Sequence, residues 1–391
     1  MFRYKLAAIK TNMTRIIIIL ITVLLSFAKS FGQNQVPITI GQKYVIESEI
    51  LNESREYWLY LPSDYDQSKY DYPVMYLLDG QEHFHQITGV VNHMSRLVQR
   101  MPRMIIVGIV STDNDRVRDY TPNQIEILSN GGGADQFTKF LQKELIPKID
   151  DDFRTNNYRL LFGHSLAAVC LNHIFTNQNE LFNVYFAADP AIFIDPTIAK
   201  DLESYISKQD TIKSCYFLSV CGLVDSTTIV PNIKLSKMIE SKYSEKISWD
   251  FKFYTSEDHI SMTLKAMYDA LEKLYSDYKI PNTYIHSFDK ESILNHIKNN
   301  EDRYKIHVAL PEQLVNEYAM HFCTKQKYDD ALDLLQLNLK NYKVPYETYY
   351  FMGEVYLMKG DKSKALEFYE KSCGIKEIWD VRDKIKQVKN E

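Results

Sequence analysis

From Tyr44 to about Lys279, short runs of β-branched and aromatic residues alternate with segments of helical period, and few folds tolerate that alternation. Helices recurring between strands must cover both faces of a sheet whose strands run mainly parallel. The runs predict strands at Tyr57 to Leu61, Val74 to Leu78, Ile105 to Val110, Arg159 to Phe162, Val184 to Ala187, Tyr216 to Val220 and Trp249 to Tyr254. Between them, Phe137, Phe140, Leu141 and Leu145 fall on one face of a helix over Asp135 to Ile149. Similar helices are expected at Leu166 to Phe175, Ile233 to Tyr243 and Met262 to Tyr275. The chain has 391 residues, 45 % of them apolar, enough for this α/β unit and a smaller second domain.

Pro281 and Asn282 end the alternation, and the remaining residues are charged and helical in period. Shifted by 34 residues, this tail aligns with itself: Ala319 with Gly353, Phe322 with Tyr356, Lys325 with Lys359, Ala331 with Ala365 and Leu332 with Leu366. Small residues at two of these pairs let antiparallel helices approach closely, with the aromatic pair filling the gap. The segment from Glu312 to Ile375 thus resembles tetratricopeptide repeats, with Tyr349 where the second copy would carry the consensus tryptophan. Two copies fall short of the roughly three that a free stack needs. Helices at Ser292 to Asn300 and Ile378 to Val388, or docking on the α/β unit, are expected to cover the exposed ends.

Arg3, Lys5, Lys10 and Arg15 precede an apolar run from Ile16 to Ala28, and small or polar residues follow to Gln33. The run has 13 residues, too few to span a bilayer, and reads as a cleaved secretory signal. The expected division is therefore residues 1–33 leader, 34–280 α/β domain and 281–391 helical repeats, with export to the periplasm or medium. Basic and acidic residues number 46 and 51, so no polybasic surface exists for nucleic acid or anionic lipid. Five scattered cysteines lack metal-ligand spacing and do not form a disulfide framework.

The chemistry centres on Gly163-His164-Ser165-Leu166-Ala167, with a strand before it and an apolar helix after it. A serine ahead of a helix also serves as an ordinary cap. An abrupt strand-to-helix turn, however, lifts a serine hydroxyl above the sheet as a nucleophile. Such a hydroxyl needs an imidazole to take its proton. His259, in the loop Ser256-Glu257-Asp258-His259 after the last strand, is the candidate base. The acid that orients it should fall between the two in the chain. Asp225, in the loop after strand Tyr216 to Val220, fits that order; its rival is Asp189, after the preceding strand. Oxyanion donors would be the backbone N–H groups of Leu166 and Gln81, with Gly80 permitting the tight turn.

With these residues in place, the chain resembles the esterase D family of α/β hydrolases over about Tyr44 to Lys279. The likeness is carried by Tyr72 through Gly80 (YPVMYLLDG), by Asp115 through Pro122 (DRVRDYTP), by Phe137 through Asp150 and by the pentapeptide Gly163 to Ala167. That family includes siderophore trilactone esterases, feruloyl and acetylxylan esterases, and mycolyltransferases. The resemblance implies an α/β-hydrolase fold, Ser165 and His259 as nucleophile and base, Asp225 at the usual acid position, and Gln81 and Leu166 amides as oxyanion donors. Where members commonly carry Ser-Pro-Ser, this chain has Asp189-Pro190-Ala191.

The expected activity is metal-independent hydrolysis of carboxylic esters through an acyl-enzyme, without a cofactor. Acyl transfer to another alcohol is chemically close, and a binding protein that recruits a partner through its helical repeats is the reading from another class. The remaining motifs are weaker. His83, His85 and Glu82 fit a strand-exit loop better than a metal site, Gly131-Gly132-Gly133 reads as a flexible linker, and Arg116 and Arg118 are placed to pair with Asp115 and Asp119 or to meet an acidic substrate.

Overall fold

The computed structural model describes residues 37–125, 130–376 and 379–390; the expected leader lies outside them. Eight strands form one sheet: β1 (Gln42–Ser48), β2 (Glu53–Tyr60), β3 (Tyr72–Leu77), β4 (Ile105–Ile109), β5 (Thr155–His164), β6 (Val184–Ala188), β7 (Ile212–Cys221) and β8 (Ile247–Tyr254). Their order is β1-β2-β4-β3-β5-β6-β7-β8. The first two are antiparallel to each other, β2 is antiparallel to β4, and every later pairing is parallel. This is the mainly parallel sheet that the alternation implied, in the α/β-hydrolase fold that the resemblance implied.

Strands β3, β4 and β6 are buried along their whole length, which is why they read as unbroken apolar runs. By contrast β1 is an edge strand with mostly exposed side chains, and its mixed QKYVIES sequence gave no apolar run to detect. Tyr57, Tyr76, Val107, Leu161, Tyr185 and Tyr216 pack on one face, under the helix Leu166–Asn177 and its neighbours. Met75, Leu77, Ile106, Phe162 and Phe186 pack on the other, under the helices Gly80–Asn92 and Met262–Leu274.

The helix expected over Asp135 to Ile149 is present as Ala134–Phe140 and Ile146–Asp152, joined by a wider turn at Leu141–Leu145. Its four named apolar residues are fully buried. Three α-helices of the α/β unit were not expected: Gly80–Asn92, Asp113–Tyr120 and Thr197–Lys208. The last buries Ile198, Leu202 and Ile206 at a spacing of four, a signal present in the sequence. The glycine triplet is not a loose linker. A Cβ on Gly131 would meet Thr121 Oγ1 at 2.7 Å, one on Gly133 would meet Arg118 at 2.8 Å, and Gly132 takes φ +96°.

The tail folds into helix pairs whose starts repeat at 34 residues: Glu312–Cys323 and Tyr328–Asn341, then Tyr346–Met358 and Lys362–Ile375. Ala319, Ala331 and Ala365 are fully buried, and a Cβ on Gly353 would strike the Tyr369 ring at 2.5 Å. Helices Lys290–Tyr304 and Trp379–Asn390 flank these pairs. Gly41–Glu391 form one compact unit. Tyr304, Ile306 and Val308 enter the same core layer as Met75 and Phe162. Backbone bonds add a seam: Lys69 N–H donates to Asn341 O at 2.8 Å, and Lys343 N–H to Gln67 O at 2.7 Å. Among the described residues, no helix is long and apolar enough to cross a membrane.

Candidate active site

The end of β5 runs into the helix Leu166–Asn177 with Ser165 alone between them, at φ 59° and ψ −119°. A positive φ at a residue with a side chain costs energy of order 1–3 kcal/mol and persists only where the surroundings enforce it. They do so here. Ser165 N–H donates to Ala188 O at 3.0 Å, and its carbonyl accepts from Ala168 and Ala191 N–H. A Cβ on Gly163 would meet Ala167 O at 2.6 Å, so the turn requires glycine there. Ala167 instead has its methyl in the core, which explains why alanine is tolerated at that position.

His259 approaches from the loop after β8. The neighbouring His164 ring lies 4.4 Å from its ring, and His164 Nε2 is 2.7 Å from the His259 carbonyl oxygen. Burial pushes His164 down to about 3, so its ring is neutral and donates its Nε2–H to that carbonyl. His83, pushed down to about 4 by burial, packs edge-on against His164 and Phe162 and bonds Gln86. It lies buried within the helix Gly80–Asn92, not in the strand-exit loop expected of it.

Asp225 does not reach His259. Its carboxylate is exposed and caps its own helix, accepting from the backbone and hydroxyl of Thr227. The reason lies upstream: Gly222 N–H bonds Tyr254 O, and Leu223 N–H bonds Glu257 O, so the chain leaving β7 is pinned and turns outward. The carboxylate facing His259 is that of Asp189, its rival: Oδ2 stands 2.6 Å from Nδ1. Asp189 is fully buried, takes φ 42°, and is held by its own N–H on Ser219 O at 2.7 Å. The carboxylate that meets His259 thus follows β6 rather than β7, and it too lies between Ser165 and His259 in the chain.

Leu166 and Gln81 each lie in the first turn of a helix, where backbone N–H groups have no intrahelical partner and the helix dipole favours negative charge. The turn before Gln81 is made by Asp79, at φ 52°, not by Gly80. Gly80 serves a different need: a Cβ there would strike Gly108 of β4 at 2.4 Å. Asp79 is buried and held by Ser111 Oγ at 2.5 Å, by Arg116 Nε at 3.0 Å, and through its N–H by Tyr120 at 3.1 Å. The Gln81 amide is tied to Ser111 from both ends, at 3.2 and 3.1 Å. Arg116 therefore braces this loop instead of pairing with Asp115, which bonds Thr112 N–H. Arg118 pairs with Asp119 as expected, and also with Glu53.

Residues 48–196 match the family model described as a putative esterase. The ferri-bacillibactin esterase BesA of Bacillus subtilis strain 168 is 28 % identical over 177 residues, covering 40 % of this chain and 61 % of its own. The chain thus spans under two thirds of that relative's length. An IroE-like serine hydrolase structure from Shewanella oneidensis is 28 % identical with TM-score 0.68, over 76 % of this chain and 99 % of its own. A protein from Capnocytophaga ochracea, 16 % identical with TM-score 0.60, extends the shared fold over 90 % of this chain and all of its own.

Proposed function

We propose that this chain is a serine hydrolase of carboxylic esters, with Ser165 as nucleophile, His259 as general base and Asp189 as the acid that orients it. The single observation that carries the reading is the 2.6 Å contact between Asp189 Oδ2 and His259 Nδ1; the His259 ring in turn lies against that of His164, the residue before the serine held at positive φ on the strand-to-helix turn. The Asp189 carboxylate would keep the proton on Nδ1, leaving Nε2 as the lone pair that takes the serine proton. Oγ then attacks the ester carbonyl, the oxyanion rests on the N–H groups of Leu166 and Gln81, and imidazolium returns the proton to the leaving alcohol. Water, activated by the same imidazole, releases the acid.

The name of the Bacillus subtilis relative supports a siderophore ester as the first substrate to try; feruloylated and acetylated sugars, implied by the family resemblance, follow. Export through the N-terminal leader, and partner recruitment by the 34-residue helix pairs, belong to the same proposal. A fluorophosphonate probe should label the parent chain and fail to label Ser165→Ala. Equal labelling of the two would remove Ser165 as nucleophile.

A further inference from the structure

Cys221 ends β7, is fully buried, and has no part in the acyl-transfer steps above. Its Sγ lies 2.9 Å from Oδ2 of Asp189, the oxygen that also meets His259 Nδ1, while its backbone N–H points at Oδ1 from 3.4 Å. Burial, reinforced by the facing carboxylate, pushes the thiol up to about 12. At neutral pH it therefore carries its proton and can only donate to Asp189. Cys221, Asp189 and His259 each bring a polar side-chain atom within 4.8 Å of the other two, one residue from the end of each of three successive strands or the loop beyond it. The other titratable groups nearby are His164, its ring tilted against that of His259, and Asp258 beside it in the loop.

We propose that Cys221 is a positioning residue for the base: its S–H holds the Asp189 carboxylate so that Oδ2 faces His259 and spreads part of the negative charge away from the imidazole. This inference rests on the reading of Asp189 and His259 given above and deepens it. A buried carboxylate has about four lone-pair directions to satisfy, and it rotates toward whichever donors remain when one is lost. Without the thiol, Oδ2 keeps His259 alone. The carboxylate is then free to turn, and its charge, no longer shared, favours imidazolium more strongly.

The test compares hydrolysis of p-nitrophenyl acetate by the parent, Cys221→Ala, Cys221→Ser, Asp189→Asn and the double variant Cys221→Ala/Asp189→Asn, each checked for folding by circular dichroism. For Cys221→Ala, kcat should fall about tenfold with KM within about twofold, the scale of one hydrogen bond to a charged group. The acidic limb of its kcat/KM profile should move to higher pH. Cys221→Ser keeps a donor, so its kcat should stay within about threefold of the parent and its limb in place. In the Asp189→Asn background, Cys221→Ala should change kcat by less than about twofold, because the thiol acts through that carboxylate.

A folded Cys221→Ala chain with the parental rate and pH profile would overturn the proposal, as would an equal loss in both backgrounds. If Cys221→Ala does not fold, Cys221→Ser decides: a folded serine variant more than about tenfold slower contradicts a donor role. Ser165→Ala separates the two levels. Parental hydrolysis by Ser165→Ala would remove the functional reading and this inference together. Loss of activity there, with unchanged Cys221→Ala, would remove the thiol's role alone.

Discussion

Asp189 and Asp225 differ in the one property that an orienting acid needs, a carboxylate shielded from water and aimed at Nδ1. Asp189 is fully buried and 2.6 Å from that nitrogen, whereas Asp225 faces solvent and caps a helix. Asp189→Asn should lower kcat by about 10³- to 10⁴-fold, since an amide can hold the ring in the wrong tautomer. Asp225→Asn should leave ester hydrolysis within about twofold of the parent. Steady-state kinetics of the two variants side by side checks both. Nothing in the sequence separated them decisively, because both aspartates follow strands and both lie between the serine and the histidine. The available clue was the departure at Asp189-Pro190-Ala191, an acid where the resembling family commonly places serine.

Two buried histidines give the residue scale a second consequence. His83 and His164 are pushed down to about 4 and about 3, against 6.5 for the free side chain. Below pH 6.5 the unfolded chain therefore binds protons that the folded one refuses. Stability should be unaffected by these groups above that pH and fall as pH drops toward about 4, by up to about 1.4 kcal/mol per pH unit for each histidine. Urea unfolding between pH 7 and pH 5 measures the slope, and His164→Gln should reduce it.

At the scale of elements, the loop after β3 is held from several sides. Asp79 carries the positive φ, Ser111, Arg116 and Tyr120 fix its polar atoms, and Gly80 lets the following helix press against Gly108. Arg116→Ala should loosen the turn that aims Gln81 N–H. The expected result is a fall in kcat of about tenfold with KM little changed, because the donor matters most when charge develops on the oxyanion. A proportional rise in KM would instead assign Arg116 to substrate binding. Strands β3 to β7 were legible because central parallel strands are apolar on both faces. The helix Gly80–Asn92 was not, since it opens on glycine and mixes Gln81, Glu82, His83 and His85 with its buried face.

Considered whole, the helical tail is part of the α/β unit's packing rather than an appendage. Tyr275 and Tyr278 are buried under Tyr304, whose hydroxyl donates to Leu274 O at 3.1 Å, and Tyr342 closes the seam beside Tyr70. Calorimetry of residues 41–391 should accordingly show one cooperative transition. A chain ending at residue 280 should melt lower and aggregate, having exposed Tyr275, Tyr278 and Met101. Two resolved transitions, the lower one belonging to the tail, would mean that the seam contributes little.

The amino-acid sequence by itself determined the alternation of strands and helices, the turn that presents Ser165, the loop histidine after the last strand and the 34-residue period of the tail. Each of these is written in local patterns of size, polarity and backbone freedom. Only the tertiary structure decided which aspartate meets His259, that Arg116 braces a loop, and that Cys221 touches Asp189. Those choices depend on where three strand ends converge in space, and on bonds such as Gly222 to Tyr254 that turn one chain segment outward while leaving its neighbour buried.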